Sequence, residues 1–440
     1  MIQQSKQGGG TNQKISRSRS ALDLNIPIPP SIAAFPPEIL SQIFIFAAEP
    51  LSCESGFRPN DTPHPLLVIP AVCTGWRRLA FVTRSLWTHI AVGERRIPLS
   101  YLDCAISRIS GWLNRAGTSP LHLTFHENTR PAVVDEFREH IAYAVSLTFY
   151  RPQQECFGRI LDMYAAANST RLDYLVVHKP SPEPSQLPYI WPKDLVVLDL
   201  WYLPSTALAV EQLVTILLSS PRLEMLQVSG SHLTPLKDGE YPSITLPQLR
   251  KFGLSPLNER AFEQLLSIIV PGPSISQVEL RLPVQASHYF GGLIQKFLKH
   301  SQISKFCLRG PQGESAPFFG PYFDLMPGLE DLYLSCFRDG AIYWFLDVLV
   351  TRVDGQLQPR CRKLRTIVLV QATVSVEAWE KLKMVVGVYQ LKKIMIYDWD
   401  RRMFDNNIKE DPLAWLKERV ETVLEIDAMS DAFWSSEDSH

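Results

Sequence analysis

The side chains that could carry chemistry are few, and they do not assemble into a recognisable set. His122 and His126 are spaced to share one face of a strand, where two imidazoles could enter a metal site, but no further His or Cys stands at ligand spacing. Two exposed strand histidines are what that spacing supports. Asp398 and Asp400 flank Trp399 and bring two carboxylates together at an expected strand end, yet no acid/base partner accompanies them, so they read as solvated acids. Cys73 stands in an apolar helical stretch, where a buried cysteine acts as a small hydrophobe and not as a nucleophile. No G-x-x-x-x-G-K-[ST], G-x-G-x-x-G or G-x-S-x-G occurs, so neither a phosphate cradle nor a nucleophile elbow is expected. The sequence predicts no enzyme, no cofactor and no metal, and it turns attention to binding surfaces.

What must position such surfaces is a chain of 440 residues, long enough for two or three domains. A hydrophobic content of 45% with 20% charged residues describes a folded protein. The formal net charge of −1 supplies no global field toward nucleic acid or a membrane. The ends differ from the middle and from each other. Residues 1–30 carry Gly8-Gly9-Gly10 and Arg17-Ser18-Arg19-Ser20 and are expected to be disordered. Residues 425–440 are expected to be an acidic tail, within a stretch from 405 that holds ten acids against three bases. The seven cysteines (53, 73, 104, 156, 307, 336, 361) include no C-x-x-C, which argues against a disulfide framework and for a reducing compartment. No apolar region follows Met1, and no stretch approaches about 18 apolar residues. A cytoplasmic or nuclear chain without a membrane partner is expected.

Two proline-led apolar blocks follow the first 30 residues. In Phe35-Pro36-Pro37-Glu38-Ile39-Leu40-Ser41-Gln42-Ile43-Phe44, the prolines suit the first turn of a helix, and Ile39, Leu40, Ile43, Phe44 and Ala47 fall at helical spacing. A proline-bearing loop at 48–65 leads to Leu66-Leu67-Val68-Ile69, then to Val72-Cys73-Thr74-Gly75-Trp76-Arg77-Arg78-Leu79-Ala80, and finally to Leu86-Trp87. These three sub-motifs, in this order over about 60 residues, resemble the F-box, particularly the F-box-like form abundant in mushroom-forming fungi. The loop at 48–65 is longer than a compact F-box needs, a departure that is cheap between helices. The resemblance implies a helical domain over 31–92 that docks on the Skp-type adaptor of a cullin–RING ubiquitin ligase. By the same resemblance Phe35, Pro36, Pro37, Glu38, Ile39, Leu40, Ile43, Phe44, Val72, Cys73, Trp76, Leu86 and Trp87 are the adaptor-binding residues, and ubiquitin transfer belongs to other subunits.

Residues 93–424 are periodic. The hexamer h-x-x-h-x-h, with h apolar, occurs nine times, beginning at Leu172, Leu195, Leu223, Leu249, Ile275, Ile303, Leu329, Leu364 and Leu391. The first positions lie 23 to 35 residues apart, and most intervals fall between 26 and 28, close to the leucine-rich repeat of about 20–29 residues. Weaker copies stand around Leu121/Leu123 and Leu147/Phe149. Segments of helical period lie between them at Ala207–Leu218, Glu259–Val270 and Ser375–Val388, and Asp411-Pro412 begins a last helix expected to run through Leu424. The Asn or Cys that completes the leucine-rich pattern is mostly missing, so the repeats are degenerate. The expected fold is α/β: a small all-helical F-box, then an irregular leucine-rich-repeat solenoid with a parallel sheet on its concave face. The rival is a doubly wound α/β domain, which would show longer all-apolar strands and a glycine-rich turn.

Alternation along each strand sends the residues that flank the apolar ones away from the core. The concave face is therefore expected to present Asp199, Trp201, Lys251, Glu279, Arg281, Lys305, Arg309, Asp331, Tyr333, Lys393 and Tyr397 as a largely solvated, target-binding surface. Aromatic and charged residues of this mixture suit a protein partner, and five bases against three acids are too balanced for a nucleic-acid groove. The sequence thus points to a substrate receptor that joins a ligase through 31–92 and holds a protein through the arc. The alternative is a repeat-based scaffold whose F-box-like part only caps the solenoid.

Overall fold

The computed structural model describes residues 35–48, 65–93, 99–167, 171–179, 191–202, 208–229, 233–236, 242–255, 257–282, 289–299, 301–310, 320–335, 339–370, 375–397 and 411–426. Residues 1–30, Asp398–Asp400 and, but for its terminal residues, the loop at 48–65 lie outside them, as does the acidic tail beyond Ile426. The helices are α1 (Pro37–Ala48), α2 (Pro65–Val72), α3 (Thr74–Val82), α4 (Leu102–Ala116), α5 (Pro131–Asp135), α6 (Gln154–Ala166), α7 (Val210–Leu218), α8 (Glu259–Ile268), α9 (Tyr289–Leu298), α10 (Gly320–Asp324), α11 (Asp339–Leu349), α12 (Val376–Val388) and α13 (Pro412–Lys417). The strands are β1 (His89–Val92), β2 (Leu121–His126), β3 (Ala144–Tyr150), β4 (Tyr174–His178), β5 (Val197–Trp201), β6 (Met225–Ser229), β7 (Ile244–Leu246), β8 (Lys251–Leu254) and β9 (Ile269–Pro271). They continue as β10 (Gln277–Arg281), β11 (Lys305–Arg309), β12 (Asp331–Ser335), β13 (Val350–Val353), β14 (Gln356–Pro359), β15 (Thr366–Val370), β16 (Lys393–Tyr397) and β17 (Thr422–Ile426).

Thirteen of these strands form one parallel sheet in which spatial order follows chain order, from β1 to β17, with only the four strands of two small side sheets left out. A doubly wound domain reverses strand order at a switch point. No reversal occurs here, so the chain advances one rung per repeat and the molecule is a solenoid of the leucine-rich-repeat kind. All nine hexamers are strands of this sheet. Their apolar positions stack in register, as in Leu198↔Leu226↔Phe252↔Val278↔Phe306 and Leu200↔Val228↔Leu254↔Leu280↔Leu308. The leading apolar residue of each hexamer lies two positions before its strand and is buried. Both weak copies are strands too, β2 and β3.

The 35-residue interval has a local cause. Between β12 and β15 the chain inserts the antiparallel hairpin β13–β14, turned by Asp354 (φ 51°) and Gly355 (φ 77°). Two consecutive residues of positive φ make the turn whose twist matches a hairpin. Returning helices start where the sequence places caps. Asn258 Oδ1 accepts from Ala261 N at 2.8 Å ahead of α8, and Ser375 Oγ accepts from Ala378 N at 3.2 Å ahead of α12.

Two boundaries differ from expectation. The helix begun by Asp411 and Pro412 ends at Lys417, and Thr422–Ile426 is a strand paired with β16 rather than the helix's continuation to Leu424. The sheet also starts early. His89–Val92, within the segment expected to be helical, pairs in register with β2 through His89↔His122 and Val92↔Phe125. Only Ile90 and Val92 point inward there, too short an alternation to stand out beside the preceding Leu86-Trp87. The helical segment and the repeats are not separate cores: Leu40, Phe44, Leu66, Ile69, Leu86 and Trp87 belong to the same continuous apolar cluster that runs to Val420.

Phe252, fully buried in the stacked row and packed on Phe297 of α9 at 4.6 Å between ring centroids, tests that continuity. Phe252→Ala should cost about 3–5 kcal/mol of stability by urea unfolding, the range for a truncated core phenylalanine. A loss below about 1 kcal/mol would show that this row is not close-packed.

Candidate functional site

Two surfaces emerge, one on the N-terminal helices and one on the concave sheet. On α1, the pairs Ile39/Ile43 and Leu40/Phe44 each sit four residues apart, one position out of phase, so they occupy adjacent stripes of the helix. Leu40 and Phe44 turn inward and are buried, whereas Ile39 and Ile43 remain exposed. Val68 and Val72 repeat the outward pairing on α2, and Phe46, Phe81 and Val82 extend the exposed apolar surface, with Phe46 79% accessible. Several large apolar side chains exposed on short neighbouring helices are what an interaction surface would use.

The residues assigned to adaptor docking therefore divide. Phe35, Pro36, Pro37, Glu38, Ile39, Ile43, Val72 and Cys73 are exposed, while Trp76 is half-buried and packs on Phe44 at 4.7 Å. Leu40, Phe44, Leu86 and Trp87 lie in the core. A side chain spent on the interior offers no contact area, so these four support the surface from beneath and do not form it. The Trp87 indole N–H donates to Ala80 O at 2.9 Å and ties the turn at Arg84–Trp87 to α3. Cys73 is also corrected: it is exposed, and its Sγ accepts from Trp76 N at 3.4 Å as the N-cap of α3. Phe46, Val68, Phe81 and Val82 were not assigned from the sequence. Completing the i, i+4 pairs along each helix would have found Val68.

On the sheet, the residues facing away from the core form three rows along the solenoid. The first holds His89, His122, Tyr174, Lys251, Lys305, Asp331 and Lys393, and the third holds His126, Tyr150, His178, Trp201, Arg281, Arg309 and Tyr397. The middle row runs Asp199↔Gln227↔Gly253↔Glu279↔Cys307↔Tyr333↔Val368↔Met395. Of the eleven expected target-binding residues, Trp201, Lys251, Arg281, Lys305, Arg309, Asp331 and Lys393 are half-buried. Asp199, Glu279, Tyr333 and Tyr397 are buried. The expectation of a solvated face fails for those four because facing away from one core is not the same as facing water. Toward the C-terminal end, Cys307, Tyr333, Val368, Val370, Met395 and Tyr397 make a second apolar cluster on this side of the sheet.

Gly253 is the hinge of the middle row. A Cβ there would meet Gln227 Oε1 at 2.2 Å, so the absent side chain leaves room for the Gln227 amide to reach across a rung. Gln227 Nε2 donates to Glu279 Oε2 at 3.3 Å, joining strands that are not neighbours. Burial pushes the Glu279 carboxyl above its ordinary range, and Lys251, the Gln227 amide, Arg309 and Lys305 pull it back. The sequence shows this column only when the hexamers are aligned on their apolar positions.

The N-terminal half of the sheet stacks rings in place of charges. His126, Tyr150, His178 and Trp201 follow one another across β2 to β5 at centroid distances of 5.1, 4.9 and 5.6 Å, and His89 lies flat on His122 at 4.3 Å. His122 and His126 do share a strand face, but they are half-buried in stacks and not simply exposed. Burial lowers His178 to about 4, with Lys179 adding to the effect, and lowers His122 to about 4, with His89 adding. Among the described residues no group of three or more His, Cys, Asp or Glu could hold a metal ion, and no helix is long and apolar enough to cross a membrane.

Comparison with known proteins adds little. No family model matches the chain, and no curated protein matches it. Among solved structures, an internalin of Listeria monocytogenes aligns over 79% of this chain and 90% of its own, at 11% identity and a TM-score of 0.33. A likeness that weak carries no argument, and the fold rests on the strand order itself.

Two outcomes follow from this geometry. His122 and His178 are neutral in the fold down to about pH 4 but take up protons near their ordinary value of 6.5 when unfolded. Between those values the unfolded chain binds more protons, so stability is complete above about pH 6.5 and falls as the pH drops toward 4. The urea midpoint should decline from pH 7 to pH 5, and His122→Gln/His178→Gln should flatten that decline; an equal slope in the variant would refute the assignment. Separately, Gly253→Ala should cost about 1–2 kcal/mol by displacing a hydrogen bond to a buried carboxyl. In a Gln227→Ala background the clash is gone, and the same substitution should cost almost nothing.

Proposed function

We propose that this chain is a non-catalytic substrate receptor of a Skp–cullin–F-box ubiquitin ligase, working in the cytoplasm or nucleus. The exposed stripe formed by Phe35, Ile39, Ile43 and Val72 docks the Skp-type adaptor, and the concave arc holds a protein target while other subunits transfer ubiquitin. One observation carries this reading. Ile39 and Ile43 of α1 and Val72 of α2 turn outward at positions of the F-box-like motif, while Leu40 and Phe44 fix α1 from beneath. Burying four such side chains in a partner would yield several kcal/mol, at about 25 cal/mol per Å² of apolar surface.

The concave rows support the other half of the reading. Trp201, Lys251, Arg281, Lys305 and Arg309 keep part of their surface accessible on one continuous face. Arg and Trp are residue types that anchor protein interfaces. The second reading, a scaffold whose helices only cap the solenoid, is favoured by the single core shared between α1 and the repeats. An end repeat needs such a cap, and on α1 the two roles use adjacent stripes of the same helix.

Co-purification with a Skp-type adaptor separates the readings. Because Leu40 and Phe44 are core residues, the informative variant is Ile39→Glu/Ile43→Glu/Val72→Glu, which should keep the wild-type melting temperature and lose the adaptor. Wild type that fails to bind the adaptor would overturn the receptor reading and leave the scaffold. Binding that survives the triple substitution would move the docking face elsewhere.

A further inference from the structure

The ring stack on β2 to β5 is built differently from the rest of the concave face. Its members sit on successive rungs in register, His126↔Tyr150↔His178↔Trp201, with planes 21°, 40° and 5° apart. Side chains stand roughly perpendicular to a sheet. Rings stacked across strands therefore cover one another's faces and turn an edge away from the sheet, although the Trp201 indole nitrogen is buried. Aromatic edges carry the positive part of the ring quadrupole, and here they also bear imidazole nitrogens and the Tyr150 hydroxyl.

A strained backbone borders the same rungs. Arg151, Lys179 and Tyr202, each the residue after its strand, have φ of 48°, 45° and 53°, a left-handed conformation that costs a non-glycine residue about 1–2 kcal/mol. Three of the five such residues among the described ones fall here. Each uses its N–H to extend the ladder by one bond: Arg151 N to His178 O at 2.7 Å, Lys179 N to Trp201 O at 2.7 Å and Tyr202 N to Ser229 O at 2.6 Å. At the ends of β10 and β11 the corresponding bonds, Leu282 N to Arg309 O and Gly310 N to Ser335 O, form without positive φ. The strained turns set Arg151 and Lys179 on adjacent rungs beside the ring edges. The Arg151 side chain is 63% exposed and stands 3.8 Å from Glu127, and the Lys179 ammonium lies 4.6 Å from the Tyr202 ring centroid.

We propose that this strip, the edges of His126, Tyr150, His178 and Trp201 with the Arg151 and Lys179 cations, docks an extended acidic segment of a partner protein. The inference rests on the reading that the concave face holds a protein target, and it names the chemistry of that target. Charge complementarity selects the occupant: ring edges and two cations all favour carboxylates. A nucleobase or a sugar ring would need an open aromatic face, and both faces of Tyr150 and of His178 are taken by neighbouring rings. Four rungs at about 4.8 Å span the length of about five extended residues.

The test uses the full chain and labelled peptides of about 12 residues, read by fluorescence anisotropy. A peptide rich in Asp and Glu should bind at least about tenfold more tightly than its Asn/Gln isostere and weaken as salt rises. Arg151→Glu/Lys179→Glu should remove that preference, Arg151→Lys/Lys179→Arg should retain it, and Arg352→Glu on the distant hairpin should leave it unchanged. Equal binding of the acidic peptide and its isostere would overturn the proposal. A photo-crosslinker at Tyr174 on the concave face, with one at Trp344 on α11 as comparison, separates the two levels of inference. An acidic captured segment at position 174 supports the proposal. A neutral or basic one overturns it while leaving the concave reading intact, and capture only at position 344 overturns that reading as well.

Discussion

The constraint on which everything else depends is that no repeat can bury its own apolar stripe. A strand such as Leu198-Asp199-Leu200 is fully covered only when Leu226 and Val228 stack on one side of it and Leu175 and Val177 on the other. Parallel pairing supplies that cover twelve times, in register but for one irregularity between Leu121 and His122 where β2 meets β3. A slip of one residue would turn the leucine rows outward. Insertions are tolerated wherever they leave the rungs alone, which is how the β13–β14 hairpin fits between two strands that remain neighbours. The two ends are where the constraint is hardest to meet. At β1 it is met by α1 to α3 and the turn at Arg84–Trp87, while β17 leaves Leu424 and Glu425 exposed.

That asymmetry connects fold to function. A segment that caps a solenoid must place apolar residues inward, and a segment that docks a partner must place them outward. Helix α1 does both by carrying two i, i+4 pairs one residue out of phase, Leu40/Phe44 in and Ile39/Ile43 out. Proline at Pro37 starts the helix, where a missing N–H costs nothing. The capping contact between Phe44 and Trp76 then fixes the orientation of the outward pair. Rigidity under an interface matters because a preorganised surface loses less entropy on binding.

Periodicity was legible in the sequence wherever a rung carries three apolar positions, as at Leu223/Leu226/Val228, and all nine such rungs are strands. It faded where inward residues are few. β1 offers only Ile90 and Val92, and β17 places Glu425 where the in-register neighbour is Ile396, so Asp411-Pro412 and the residues after it read as one long helix. The N-terminal helices were legible as helices, but the sequence could not say which of two adjacent apolar stripes would turn inward, because α1 is apolar on both. On the concave side, alternation correctly identified which residues leave the leucine core. It could not reveal that Asp199, Glu279, Tyr333 and Tyr397 would be buried again, since that depends on the rows beside them and not on their own strand.

The concave face then divides by how each part handles polarity. In the middle, the buried Glu279 carboxyl is kept within reach of the Gln227 amide by a glycine, which works only while position 253 has no side chain. That arrangement is inward-looking: the Gln227 N–H answers the carboxyl, while the Gln227 carbonyl oxygen is buried without a hydrogen-bond partner. Toward β17 the face is apolar and closed, from Cys307 to Tyr397. Toward β2 it is neither, for the rings from His126 to Trp201 are half-buried, each turns an edge away from the sheet, and strained turns hold cations beside them. Strain of about 1–2 kcal/mol at each of three consecutive rungs opposes folding, and the unstrained ends of β10 and β11 show that the sheet does not require it. Three such costs on consecutive rungs, beside the exposed Arg151 and Lys179, accord with the acidic segment proposed for this part of the concave face.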